Sequence, residues 1–244
     1  MVYAAVDRNP AHAGRADAML RQAGIEVTPG VMAHEAEKIL RPFFKVRETG
    51  LPWVIWKTAM SLDGRITRPP GEGQWLTGPD ARHDVQKLRS TVDAILTTGE
   101  TVRRDLPALT IRVPELLHGR PQPWRVVFTD QPSTLPADAP LLCDAWKDRT
   151  LIRSRGDLEG TLRRLAREQG VLSVMIEAGG KFSAAMIEAG LVDEAVIYLA
   201  PMLCGGPTLG LAGSGLNGSL KMKDISFDHL EGDIRMSGIF EEAR

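Results

Sequence analysis

From Pro52 onward, runs of apolar residues with the two-residue period of a strand alternate with runs that repeat at helical spacing. Strands are predicted over 52–60, 94–98, 124–128, 150–153, 171–176 and 194–200, and helices over 79–91, 157–169 and 181–189. Ala81, Val85, Leu88 and Val92 mark the buried side of the first helix, and Leu158, Leu162 and Leu165 that of the second, which Gly170 stops. The run 171–176 is almost wholly apolar, as expected of a parallel strand covered on both faces. Strand-like stretches 220–230 and 233–240 flank Glu231-Gly232 and predict an antiparallel hairpin that closes the sheet. Residues 1–48 read as strand (2–6), helix (14–23), strand (25–28) and helix (32–41). A piece this short buries too little surface to stand alone.

One position breaks the pattern. Alternation through 52–60 puts Trp53, Ile55, Lys57 and Ala59 on one strand face and Val54, Trp56, Thr58 and Met60 on the other. Lys57 therefore points where apolar residues otherwise pack. An unpaired buried ammonium costs several kcal/mol, so Lys57 either has an acidic partner, lines a cleft, or snorkels from an edge strand.

Composition narrows the field. A chain of 244 residues with net charge −1 and no basic tail or stripe is not built to bind nucleic acid, which favours small-molecule chemistry. The N-terminus has no basic segment followed by an apolar one, and no apolar run approaches a membrane span, so a cytoplasmic protein is expected. The two cysteines, Cys143 and Cys204, are too few for a disulfide framework or zinc finger, and no metal site is expected. His34-Glu35 lacks a second histidine four residues on, and Gly213-Ser214-Gly215 has Ala212 where a nucleophile elbow needs glycine.

Glu177-Ala-Gly-Gly-Lys-Phe-Ser183 stands where an apolar strand gives way to a helix. Small residues and free amides there suit either a phosphate or an ordinary tight turn.

The string 57–65, then Gln74 to Thr77, Arg82, Leu88-Arg89, 94–96, Thr101-Val102, 105–112, 176–180 and 191–194 resembles the reductase domain of the bifunctional riboflavin-biosynthesis deaminase/reductase family, in order and at close to its spacing. Residues 1–48, with Asn9-Pro10, Ala13-Gly14-Arg15, 23–27 and 42–44, resemble the last part of its deaminase domain, while His-x-Glu and Pro-Cys…Cys, which a zinc deaminase requires, are absent. The resemblance implies a truncated deaminase remnant (1–48) followed by a reductase domain (52–244). The implied reductase has a dihydrofolate-reductase-like α/β fold, a mixed, mostly parallel sheet flanked by helices with a C-terminal antiparallel hairpin.

It further implies NADPH-dependent reduction of 5-amino-6-(5-phosphoribosylamino)uracil without deaminase activity. The alternatives are reduction of the undeaminated diamino-pyrimidinone, a dihydrofolate reductase, disfavoured because a pterin has no sugar phosphate for Arg89 and Arg112, and a non-catalytic nucleotide-binding subunit that partners a separate deaminase. Carried onto this sequence, Arg89 and Arg112 hold the substrate's 5′-phosphate near Gly73, where relatives often have serine, and Glu177 contacts the pyrimidine. Ala59, Trp75, Thr101, Asp105, Leu109, Asp130 and the stretch Gly179, Gly180, Lys181, Phe182, Ser183, Ala184 and Ala185 line the cofactor. Lys57, Asp105 and Glu177 are the expected catalytic group, with the two carboxylates orienting Lys57. Two departures stand out: Leu106 replaces a second aspartate, and Asp130 lies near where relatives place a serine. A carboxylate there repels the 2′-phosphate of NADPH and favours NADH, unless Arg153, Ser154 and Arg155 offset it. A homo-oligomer is expected by analogy.

Overall fold

The computed structural model describes residues 1–9, 14–213 and 218–241. Pro10 and Ala13 of the N-terminal resemblance, and Ser214 and Gly215 of the glycine-serine motif, lie outside them. The chain divides into two compact units, residues 1–53 with 162–172, and residues 54–161 with 173–244.

In the first unit, β1 (Val2–Tyr3) pairs in parallel with β2 (Thr28–Pro29). Helix α1 runs Arg15–Gln22 and α2 runs Ala33–Thr49. The strands are shorter than the apolar pattern predicts. Helix α2 is longer than the predicted 32–41, and Pro42 lies inside it. Proline removes one N–H from the ladder, and the helix continues to Gly50, whose left-handed φ of 73° terminates it. Val27 and Phe44 are buried, and the guanidinium of Arg8 lies 4.5 Å over the Phe44 ring.

The eight-stranded sheet has the order β6-β5-β4-β7-β3-β8-β10-β9. In chain order its strands and helices are β3 (Trp53–Ser61), α3 (Pro79–Ser90), β4 (Ala94–Thr98), α4 (Gly99–Asp105), β5 (Trp124–Phe128), α5 (Pro140–Cys143), β6 (Thr150–Arg153), α6 (Leu158–Gln169), β7 (Ser173–Ile176), α7 (Gly180–Glu188), β8 (Glu194–Ala200), β9 (Met222–Leu230) and β10 (Asp233–Phe240). β4 pairs in parallel with β5 and β7, β5 with β6, and β3 with β8. β10 then runs antiparallel to both β8 and β9. This is the mixed, mostly parallel sheet with a C-terminal hairpin that the sequence predicts. The hairpin turns at Glu231 and Gly232, both at positive φ.

β7 is buried along its whole length, as its almost wholly apolar run predicts. Helix α4 is absent from the periodicity reading because Val102 is its one buried side chain. Its start is fixed instead by a cap, the Thr98 hydroxyl accepting from the Thr101 amide at 3.3 Å.

Candidate active site

Lys57 sits mid-strand in β3 with its ammonium 3.8 Å from Glu177 Oε2, and both side chains are largely buried. Glu177 follows β7 directly, its backbone amide donating to the Leu96 carbonyl of β4 at 2.9 Å. From the last turn of α3, Arg89 grips the same carboxylate through two parallel bonds, Nε to Oε1 at 2.7 Å and Nη2 to Oε2 at 3.0 Å. Its Nη1 donates to the Thr110 carbonyl at 2.9 Å.

Two cations around one carboxylate set the electrostatics. Burial alone would raise the Glu177 carboxyl, but the charges of Arg89 and Lys57, the Arg89 hydrogen bonds and the more distant Arg112 hold it down at about 2. Burial pushes the Lys57 ammonium below its ordinary range, the Glu177 charge opposing and Arg89 adding to the shift. Burial lowers the Arg89 guanidinium too, but Glu177 more than reverses this, so it stays charged. With Lys57 protonated the cluster holds two cations to one carboxylate, a setting that favours an anion.

The two arginines expected to share a phosphate are held differently. Arg89 commits three of its N–H groups to Glu177 and Thr110, leaving two of the five a guanidinium carries. Arg112 has an exposed side chain, and its backbone amide donates to the Gln86 side chain at 2.8 Å. The loop that carries Arg112 is tied down elsewhere as well. Gln122 bonds both the amide and the carbonyl of Ile111, at 2.7 and 2.9 Å. Arg125, fully buried, bonds the Ala108 carbonyl at 3.0 Å and pairs with Asp144 through two contacts at 2.6 and 2.9 Å. Leu106 and Leu109 adopt left-handed φ of 44° and 51° in that loop, and Leu109 is buried. The sequence reading passed over Gln86, Gln122 and Arg125. Arg125 did carry a signal, since it interrupts the apolar strand Trp124–Phe128 much as Lys57 interrupts β3.

Beside this cluster lie the carboxyl ends of β4, β5, β6 and β7, which run parallel, the edge where open α/β sheets bind ligands. Asp130, just past β5, accepts from the Ser154 hydroxyl (2.8 Å), the Arg155 amide (3.0 Å) and Arg155 Nε (2.9 Å). Those bonds lower its carboxyl from the ordinary range. The Asp130 carboxylate thus has a local counter-charge and hydroxyl donor.

The two glycines of the 177–183 stretch do different work. A Cβ on Gly179 would meet nothing within 4 Å, so the start of α7 faces open space. A Cβ on Gly180 would strike the backbone of Leu209 to Leu211, and Ala212 donates to the Gly180 carbonyl at 3.1 Å. Gly180 therefore admits a neighbouring loop, whereas Gly179 leaves room for a ligand. Phe182, Ser183 and Ala184 turn their side chains inward, Phe182 against Phe128 at 5.1 Å, while Lys181 and Ala185 face outward. The amides of Phe182 and Ser183 donate to the Gly179 carbonyl at 3.1 and 3.2 Å, so the donors left at the helix start are those of Gly180 and Lys181.

Trp75 is 52% exposed, with the Arg82 guanidinium 5.3 Å over its ring. Gly73 has φ of 95°, a conformation that a serine would resist, so the residue there goes with its backbone. Thr101 shares a 3.1 Å hydroxyl contact with Thr98, and Ala59 lies half-buried beside Tyr198. Asp105, at the end of α4, makes no hydrogen bond or ion pair among the described residues; burial raises its carboxyl, Glu100 adding and Arg104 opposing. The carboxylate in reach of Lys57 is Glu177, and the expected Asp105–Lys57 contact is not formed. Among the described residues no three of His, Cys, Asp or Glu are grouped to hold a metal ion, and no helix is long and apolar enough to cross a membrane.

Comparison with known proteins agrees on one family. The family described as the RibD C-terminal domain matches residues 52–236. The riboflavin biosynthesis protein RibD of Escherichia coli strain K12 is 38% identical over 233 residues, covering 84% of this chain and 63% of its own length. RibD of Bacillus amyloliquefaciens is 36% identical over 252 residues, covering 92% of this chain and 66% of its own. The chain thus spans just under two thirds of these relatives. A structure of Acinetobacter baumannii RibD superimposes with a TM-score of 0.86 at 32% identity, covering 99% of this chain and 72% of that one.

Proposed function

This chain belongs to the RibD C-terminal domain family, and from that premise we propose that it carries out the NADPH-dependent reduction of 5-amino-6-(5-phosphoribosylamino)uracil to its ribitylamino product. The observation that carries the reading is the buried cluster of Lys57, Glu177 and Arg89 beside the open carboxyl edge of the sheet. Here the sugar of the substrate opens as hydride reaches C1′ and the ring oxygen leaves with its electron pair and takes up a proton. Lys57, positively charged and directed into the cluster, stabilises the oxygen or nitrogen centre next to C1′ as charge develops there. Glu177 keeps Lys57 charged and offers its carboxylate edge to the pyrimidine. The two free N–H groups of Arg89, with Arg112 and backbone near Gly73, receive the 5′-phosphate.

The residues fit a nicotinamide cofactor. Gly179 leaves room for a pyrophosphate at the start of α7, where the amides of Gly180 and Lys181, which have no acceptor within the helix, supply donors. Trp75, Ala59, Thr101, Asp105 and Leu109 wall the neighbouring space. Bound there, NADPH would supply the hydride; the protein's part is alignment and water exclusion. Arg155, held by Asp130, which also accepts from Ser154, supports NADPH over NADH, because a guanidinium already stands at the strand ends and offsets the Asp130 charge. Asp105 then helps place the cofactor or substrate rather than Lys57.

Residues 1–48 are read as the end of a deaminase domain, and they carry none of the zinc-site motifs that deamination requires. A cytoplasmic homo-oligomer completes the reading. The test is NADPH oxidation followed spectroscopically with the deaminated and undeaminated phosphoribosyl pyrimidines offered in parallel. Oxidation with the deaminated compound is expected; oxidation only with the other would reassign the substrate, and binding without oxidation would make the chain a nucleotide-binding subunit.

A further inference from the structure

Glu177 does not fix Lys57 by itself. Both of its oxygens are engaged by Arg89 at 2.7 and 3.0 Å, and Lys57 stands off at 3.8 Å, an ion pair rather than a short hydrogen bond. A four-carbon lysine stem held by one such contact keeps much of its rotamer freedom. The second contact comes from β8. Lys57 Nζ lies 5.8 Å from the ring centroid of Tyr198, within cation–π range. The register explains the approach: Tyr198 stands opposite Ala59, and Lys57 is two residues away on the same face of β3. A methyl at 59 leaves the ring open to the lysine.

Tyr198 is itself immobilised. It is fully buried, and its phenol donates to Asp84 Oδ2 at 2.8 Å. Asp84, on α3 one turn and a half before Arg89, also faces Arg235 of β10 at 3.6 Å. A phenol that donates to a carboxylate carries more electron density into its ring, which strengthens its hold on a cation. We infer that Tyr198 is a positioning residue for Lys57, its ring face fixing the ammonium while Asp84 fixes the ring. The charged and titratable groups that face Lys57 are then Glu177 from the end of β7, Arg89 from α3 and Tyr198 from β8. The inference rests on the proposed function, since it assigns the ring a part in placing that reaction's cation.

The test replaces Tyr198 with phenylalanine and then with phenylalanines bearing one, two and three fluorines, which keep the ring's shape while draining its face of charge. With the proposed substrate, turnover is expected to fall stepwise by about tenfold in all, with KM for NADPH within about twofold. The alkaline limb of the pH profile should move down along the series. Acetylation of Lys57 by acetic anhydride in the free protein should quicken, because a less stabilised ammonium loses its proton more easily. Asp84→Asn should shift all three readouts in the same direction by less. Turnover, limb and acetylation rate that stay flat across the fluorine series would overturn the inference. If wild-type protein reduces neither pyrimidine, the function is wrong, yet the acetylation series still decides whether the ring holds Lys57.

Discussion

Two arginine–carboxylate pairs lie near the same edge of one sheet with nearly the same bond lengths and quite different physics. Arg89 and Glu177 meet at 2.7 Å with side chains 12% exposed each, and Arg155 and Asp130 meet at 2.9 Å with side chains 61% and 46% exposed. The first pair is out of water, so its charges depend on one another and on Lys57. The second is solvated, so each partner can exist without the other. Burying a pair gives little net stability, but removing one partner strands the other. A solvated pair contributes little in either direction, which leaves it free to be tuned for ligand choice.

The largest effect expected from this contrast is at Glu177. Glu177→Ala leaves Arg89 and Lys57 buried without a counter-charge and should cost about 3–5 kcal/mol of stability in urea unfolding. Lys57→Ala should be milder for the fold, since it removes a buried cation, but should lower turnover by about a hundredfold with NADPH affinity little changed. Unchanged turnover would take Lys57 out of the reaction.

Acid stability gives a third, smaller effect. Glu177 titrates at about 2 in the folded chain against an ordinary 4.5, so its contribution is complete above 4.5 and is lost as pH falls towards 2. Glu177→Gln should flatten the pH dependence of stability within that window and leave it unchanged at neutral pH, where the carboxylate is charged folded or unfolded.

At the exposed pair the smallest stability effect and a selective functional one are expected. Arg155→Ala should leave the melting temperature unmoved while lowering the preference for NADPH over NADH by about tenfold. Loss of melting temperature with no change in preference would invert the contrast between the two pairs.

Much of the scaffold was legible because local pattern and final environment agree. The strands at Ala94–Thr98, Trp124–Phe128, Thr150–Arg153 and Glu194–Ala200 fall where the apolar runs put them. Helix α2 exceeded its reading because a proline's cost is one lost bond, which packing can outweigh. Helix α4 was missed because a cap at Thr98, not an amphipathic stripe, defines it.

The site was legible in part. A charge in an apolar strand identified Lys57, and its acidic partner is Glu177. That Arg89 would bind Glu177, 88 residues away, and that Tyr198 would reach Asp84 across 114, could not be read from spacing. Such contacts are set by strand order, where β7 and β8 flank β3. The resemblance named Arg89 and Glu177 separately, and the fold joins them.

The most direct test follows deuterium from C4-labelled NADPH during a single turnover with the deaminated phosphoribosyl pyrimidine, in wild-type protein and in Lys57→Met. Deuterium at C1′ of the ribitylamino product, formed about a hundredfold more slowly without the lysine, is the predicted result. Label absent from C1′, or transfer at an unaltered rate in Lys57→Met, would contradict a reduction centred on the buried cluster.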